Sequence, residues 1–156
     1  MSGEPVRRTS TGHALRLVAS EPVLQAPDDV VTLTLAPERQ SVAVGRHWVV
    51  RVAAAAGVTG MANQVVELLT SELLSNAVLH GADGRSIHLW FRGGEDVVRV
   101  SVSDAAPARP VVLHPDVAAP SGRGMAIVEA MSNRWGVDRQ DQGGKTVWFE
   151  VDLDQY

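Results

Sequence analysis

Ile87-His-Leu-Trp-Phe-Arg-Gly93-Gly-Glu-Asp-Val97-Val-Arg-Val-Ser-Val-Ser-Asp104 is the stretch that decides the architecture. Ile87, Leu89 and Phe91 alternate with polar or Trp positions, Gly93 to Asp96 reads as a turn, and Val98, Val100 and Val102 alternate again. That is the pattern of two strands joined as a hairpin. A second hairpin is predicted around Gln140-Asp-Gln-Gly-Gly144, joining Trp135–Arg139 to Lys145–Leu153. In its last strand Val147, Phe149, Val151 and Leu153 alternate with Thr146, Trp148, Glu150 and Asp152. Hairpins make the later sheet antiparallel. The fold class is therefore α+β, a two-layer α/β sandwich with a mostly antiparallel mixed sheet and helices on one face, rather than a doubly wound fold.

Upstream of the first hairpin, residues 1–29 are rich in Pro, Ser, Thr, Gly and charge, which predicts a flexible tail. Residues 30–156 read as a single domain. Val30–Leu35 is a predicted strand, and Pro37 opens a helix with Glu38 in its first turn, where a carboxylate suits the helix dipole. Val42, Gly45, Val49, Val52 and Ala56 keep helical spacing on it, and Gly57 closes it. Residues 104–122 carry Pro107, Pro110, Pro115 and Pro120 with little periodicity, so a long irregular loop is expected, and such loops are usually functional. Gly124–Asn133 follows as a short helix with Met125, Val128 and Met131 on one side.

Ala62–His80 has no internal Gly or Pro and reads as a helix. At about 100° per residue, Ala62, Val65, Val66, Leu68, Leu69, Leu73, Ala77 and Leu79 share one side. Asn63, Gln64, Glu67, Thr70, Ser71 and Ser75 take the other, interrupted by Leu74 and Val78, which are expected either to pack on the Pro37 helix or to meet a partner. Glu72, Asn76 and His80 fall within the apolar arc, one turn apart. A buried carboxylate costs several kcal/mol unless paired or metal-bound. A polar row on an apolar face therefore marks a candidate site.

Composition narrows the function. Net charge is −4, the sequence pI is about 5.7, and no basic run occurs, which argues against a nucleic-acid surface. Cysteine is absent, so disulfide and thiolate chemistry are excluded. No apolar stretch reaches the ~18 residues of a membrane span, and no signal-peptide core follows the first basic residues. The expected location is the cytoplasm. Histidines 13, 47, 80, 88 and 114 lack zinc-ligand spacing.

Two further places could carry chemistry. The alternation Val98, Val100, Val102 continues in phase to Asp104, so that carboxylate leaves its strand on the core side. Ser121-Gly122-Arg123-Gly124 stands before a helix, where glycine backbone and the helix dipole suit a phosphate and Arg123 adds charge. Gly144-Lys145-Thr146 imitates the end of a P-loop. The required earlier glycine is Arg139, however, and a strand follows instead of a helix.

Together, Glu72-Leu-Leu-Ser-Asn76-Ala-Val-Leu-His80-Gly81, Val102-Ser-Asp104, Ser121-Gly-Arg-Gly-Met-Ala-Ile-Val-Glu129 and Gly144-Lys-Thr-Val-Trp-Phe149 resemble the GHKL (Bergerat-fold) ATP-binding domain. Within that family the likeness is to the RsbW/SpoIIAB-like anti-sigma-factor serine kinases, over about residues 30–156. The resemblance implies that Asn76 holds Mg²⁺ between ATP phosphates, that Glu72 is the general base, and that Asp104 accepts from the adenine amino group. It implies an ATP lid over 105–122, with Gly122 and Gly124 against the phosphates and Arg109 or Arg123 on the γ-phosphate. His80, Ser121, Met125 and Thr146 complete the implied nucleotide contacts. The family's Asp-x-Gly-x-Gly is here Asp104-Ala105-Ala106-Pro107-Ala108.

Two functions stay open at this level. One is a serine kinase that phosphorylates a STAS-type anti-sigma-factor antagonist and so regulates transcription by partner switching. The other is a non-catalytic, nucleotide-sensing module that sequesters a sigma factor. The resemblance also allows a homodimer.

Overall fold

The computed structural model describes residues 30–80, 84–104, 120–139 and 143–156, with the side chains of 120–123 left aside. Residues 1–29, read above as a tail, and most of the 104–122 loop, Arg109 included, lie outside the described residues. So does Gly81, the expected helix stop.

Five strands form one sheet in the order β1-β2-β3-β5-β4: β1 Val30–Leu35, β2 Ile87–Arg92, β3 Val97–Asp104, β4 Arg134–Arg139 and β5 Lys145–Asp152. Every neighbouring pair is antiparallel, so the mixed character expected of the sheet is absent among the described strands. Both hairpins form as the alternation predicts. Across β3 and β5 the register sets Val100 against Phe149, Val102 against Val147, and Asp104 against Lys145. One face of the sheet carries Leu33, Leu89, Phe91, Val98, Val100, Phe149 and Val151, all fully buried. The period of two leaves Trp90, Arg99 and Trp148 on the other face, where the Arg99 guanidinium lies 3.8 Å from the Trp148 ring centroid.

Helices α1 (Gln40–Ala55), α2 (Gly60–His80) and α3 (Pro120–Met131) cover the apolar face. α1 packs over β1 and β2, α2 over β3 and β5, and α3 against α2 and β4. This is the α+β two-layer sandwich expected from the hairpins. α1 starts three residues later than Pro37, because 36–39 form a tighter turn in which the Glu38 amide donates to the Ala36 carbonyl at 2.8 Å. It ends at Gly57, whose φ of +90° is left-handed and favours glycine. Asn63 then ties α2 to this joint, its amide donating to the Val58 carbonyl at 2.9 Å and the Val50 carbonyl at 3.2 Å.

α2 is buried on a displaced arc. Its buried residues are Ala62, Val65, Val66, Leu69, Thr70, Leu73, Leu74 and Ala77. Leu68 and Leu79, placed on the core side by periodicity alone, are 37% and 64% exposed. The arc is turned about 60° toward Thr70 and Leu74, at ~100° per residue. The cause is α1. Gly45 lets α1 approach so closely that a Cβ there would lie 2.5 Å from Leu74 Cδ1, so α2 buries against α1 as well as the sheet. Glu72 is left on the margin of the arc, half-buried.

Candidate functional site

Glu72 and Asn76 are successive residues of one row on α2, both half-buried. Burial pushes the Glu72 carboxyl above the ordinary carboxylate range, because desolvation disfavours its charged form. Neither side chain has a hydrogen bond or ion pair with the described residues. A half-buried carboxylate without a partner is costly to keep for stability alone.

Gly124 of α3 faces that carboxylate. A Cβ at 124 would lie 2.5 Å from Glu72 Oε1, 3.6 Å from Cδ and 3.8 Å from Cβ. Only glycine leaves the carboxylate its place. The sequence pointed to a glycine-rich anion cradle before a helix, but the structure gives Gly124 another duty. The helix also begins at Pro120, not Gly124, so Ser121-Gly122-Arg123-Gly124 forms its first turns. Pro120 at the first helical position explains the earlier start, since its fixed φ and missing N–H suit that place.

Asp104 ends β3 on the core side, as the strand phase predicts. Its carboxylate receives the Lys145 ammonium, with Nζ at 3.2 Å from Oδ1 and 3.1 Å from Oδ2. The side chains are 3% and 4% exposed. Lys145 does open a strand, as expected, but sequence reasoning gave it no partner and no role. Its phase with Val147 was the signal available.

The remaining expected contacts distribute unevenly. His80 is exposed, not buried: α2 runs past its covering layer there, so the phase of the row no longer implies burial. Met125 is fully buried, in the same core cluster as Val128. Thr146 lies on the opposite face of the sheet from Asp104, its hydroxyl donating to Ser103 Oγ at 3.2 Å. That position follows from its alternation with Val147 and removes it from the Glu72 side. Gly122 sits in the first turn of α3, while the Ser121 and Arg123 side chains and Arg109 lie outside the described residues. The structure thus brings Gly124 against Glu72, one helical turn from Asn76 on α2, and pairs Asp104 with Lys145 at the end of β3 and the start of β5.

This set suits an acceptor of protons beside an amide oxygen donor, on an element packed across the sheet. No group of three or more His, Asp or Glu residues among the described residues forms a metal cluster. Mg²⁺ takes hard oxygen ligands, and commonly binds through one or two protein oxygens plus phosphates and waters. The Asn76 amide oxygen fits that requirement. No described helix is long and apolar enough to cross a membrane.

The model of the histidine kinase-like ATPase domain matches residues 35–151. The chain is similar to the RsbU and RsbW domains of Rv1364c from Mycobacterium tuberculosis, at 23% identity and a TM-score of 0.63. That likeness covers 82% of this chain and 33% of the other, so the chain spans about a third of the solved protein's length and shares the fold of that part. No curated protein matches the chain.

Proposed function

Because the chain belongs to the histidine kinase-like ATPase family, an ATP-binding one, we propose that it is an ATP-dependent protein serine kinase of the anti-sigma-factor type. Its substrate is a small STAS-type antagonist, and phosphorylation of that antagonist switches a sigma factor between partners. The observation that carries this reading is Glu72: a half-buried carboxylate with a raised pKa and no partner among the described residues, for which Gly124 clears space.

In this reading Glu72 takes the proton of the substrate serine hydroxyl. The serine oxygen forms its bond to the γ-phosphorus while the bond to the β–γ bridging oxygen breaks, and ADP departs with that electron pair. The raised pKa brings the proton affinity of Glu72 closer to working pH, as base catalysis favours. Asn76 would hold Mg²⁺ through its amide oxygen, and the ion, when bound, would neutralise charge on the phosphates. Asp104 accepts a hydrogen bond from the adenine amino group. Transfer of phosphate from ATP to the purified antagonist tests the proposal; transfer that persists in Glu72→Ala would remove the base from the scheme.

A second reading has its own support in Leu68 and Leu79, both exposed on the helix that carries Glu72. Apolar residues beside a nucleotide site suit a module that sequesters a sigma factor and only senses nucleotide. Calorimetry separates the two, since ATP binding without any phosphate transfer to an antagonist favours the module.

A further inference from the structure

The face of the sheet turned away from the helices carries two partly buried indoles, Trp90 and Trp148, beside a row of charge. Register sets Arg92, Arg99, Glu150 and Arg134 side by side across β2, β3, β5 and β4. Glu150 binds Arg99 at 2.7 Å and Arg134 at 3.5 Å, while Arg92 has no acidic partner among the described residues. Arg92, Arg99 and Glu150 also line a groove of about 290 Å³ with Gly93, Gly94 and Val97. Gly136 lets the Trp148 indole lie over β4, since a Cβ there would stand 2.6 Å from Cζ2. Trp and Arg are the residue types that dominate binding surfaces. Burial on this face exceeds what the described elements account for. Thr32 pairs with Trp90 and so points the same way, from the edge strand β1, with a strand neighbour on one side only. No described helix lies over it, yet it is 4% exposed.

We propose that this basic, tryptophan-bearing face is the docking surface for the chain's own residues 19–29. That segment, Ala19-Ser-Glu-Pro-Val-Leu-Gln-Ala-Pro-Asp-Asp29, has Glu21, Asp28 and Asp29, no basic residue, and Val23-Leu24 as its apolar centre. Its charge and its apolar pair thus complement the arginines and the indoles. Asp28 and Asp29 directly precede Val30, whose register partner is Arg92, so the acidic end is tethered beside the arginine that lacks a partner. Pro22 and Pro27 have no amide donors, which disfavours a sixth strand on the β1 edge and leaves side-chain contact with the face. Reach is sufficient: a segment of this length spans up to ~36 Å when extended. The way from β1 across β2 and β3 to β5 is three strand spacings, or ~14 Å. The surface lies across the sheet from the helix that carries Glu72, so the proposal stands apart from the ATP-site reading.

The chain has no cysteine, so Ser20→Cys in the full chain takes a single nitroxide label, and the indole N–H signals of the four tryptophans report what it approaches. Trp90 and Trp148 are expected to lose intensity in preference to Trp48, which is buried in the core on the other side of the sheet. Adding Leu24→Asp, which removes half of the apolar pair, is expected to restore both signals, and so is Arg92→Glu, which reverses the charge beside Asp28. An unchanged Trp48 signal shows that each variant is folded; if Arg92→Glu is not, Leu24→Asp decides. Broadening that is the same with and without these changes reports only a tethered label passing by, and overturns the proposal. So does an absence of broadening at Trp148. Broadening passed from labelled to unlabelled molecules in a mixed sample assigns the face to a second copy of the chain, and overturns it as well.

Discussion

Gly124→Ala separates the site from the fold with a single methyl group. The added Cβ would stand 2.5 Å from Glu72 Oε1, where ordinary contact begins at about 3.4 Å, so the carboxylate must retreat by about 0.9 Å. Its exposed half allows it to do so. The stability cost is small, because the atom displaced is the end of a flexible side chain. Against it stands the helix propensity of alanine over glycine, about 1 kcal/mol at an interior helical position. The variant is therefore expected to melt no lower than wild type, and up to about 2–4 °C higher if the propensity gain is fully realised. Phosphate transfer should respond in the opposite direction. A catalytic group misplaced by about 1 Å can cost about 100-fold in rate. Paired thermal melts and transfer assays with ATP, Mg²⁺ and the antagonist read both quantities. Wild-type transfer in Gly124→Ala would refute the reasoning, because it would show that the position of the Glu72 carboxylate does not matter.

Glu72→Gln is expected to abolish transfer and to melt above wild type at pH 8, with no gain at pH 4. The sign follows from the raised carboxyl pKa: the unfolded chain loses the proton first, so stability falls as pH rises from the ordinary carboxylate value through the folded one. Melts across that range check it, and equal pH slopes for the two proteins would contradict it. Asn76→Ala should keep the fold, since the side chain is only half-buried, yet remove the dependence of ATP binding on Mg²⁺; titration with and without the metal reads this directly. Gly45→Val should destabilise by about 2 kcal/mol or more through overpacking, because its Cβ would meet Leu74 at 2.5 Å, Leu35 at 3.2 Å and Leu89 at 3.3 Å. Denaturant unfolding measures that loss, and an unchanged midpoint would show that α1 can move away from α2.

The strands were legible because each lies on a sheet with one covered face, so period two and burial coincide along β2, β3 and β5. α2 was legible as a helix but not in its orientation. A helix between a sheet and another helix buries two sides, and its apolar positions then no longer define a single centre. Leu68 and Leu79 were drawn to the core by a periodicity that could not know where α1 would press. Trp48, one of the largest fully buried side chains, went unremarked for a related reason: the spacing of Val42, Gly45, Val49 and Val52 accounted for α1 without it. Its size and its place beside Val49 were the signal available.

The site was legible as residues and not as contacts. Glu72 and Asp104 announced themselves as carboxylates on a core phase, and both lie at or within the layer that phase implies. Their neighbours Gly124 and Lys145 come from elements 52 and 41 residues away, so their proximity depends on how α3 packs on α2 and how β5 registers on β3. No local pattern fixes either. His80 and Thr146 mark where the phase argument stops. His80 kept the right phase, but α2 had outrun its cover. Thr146 stood next to the right residue on the wrong side of the strand. A polar side chain on a core phase thus identifies a site only where a second layer lies over it, and in this chain α2 packs over β3 and β5 while α3 brings Gly124 beside Glu72.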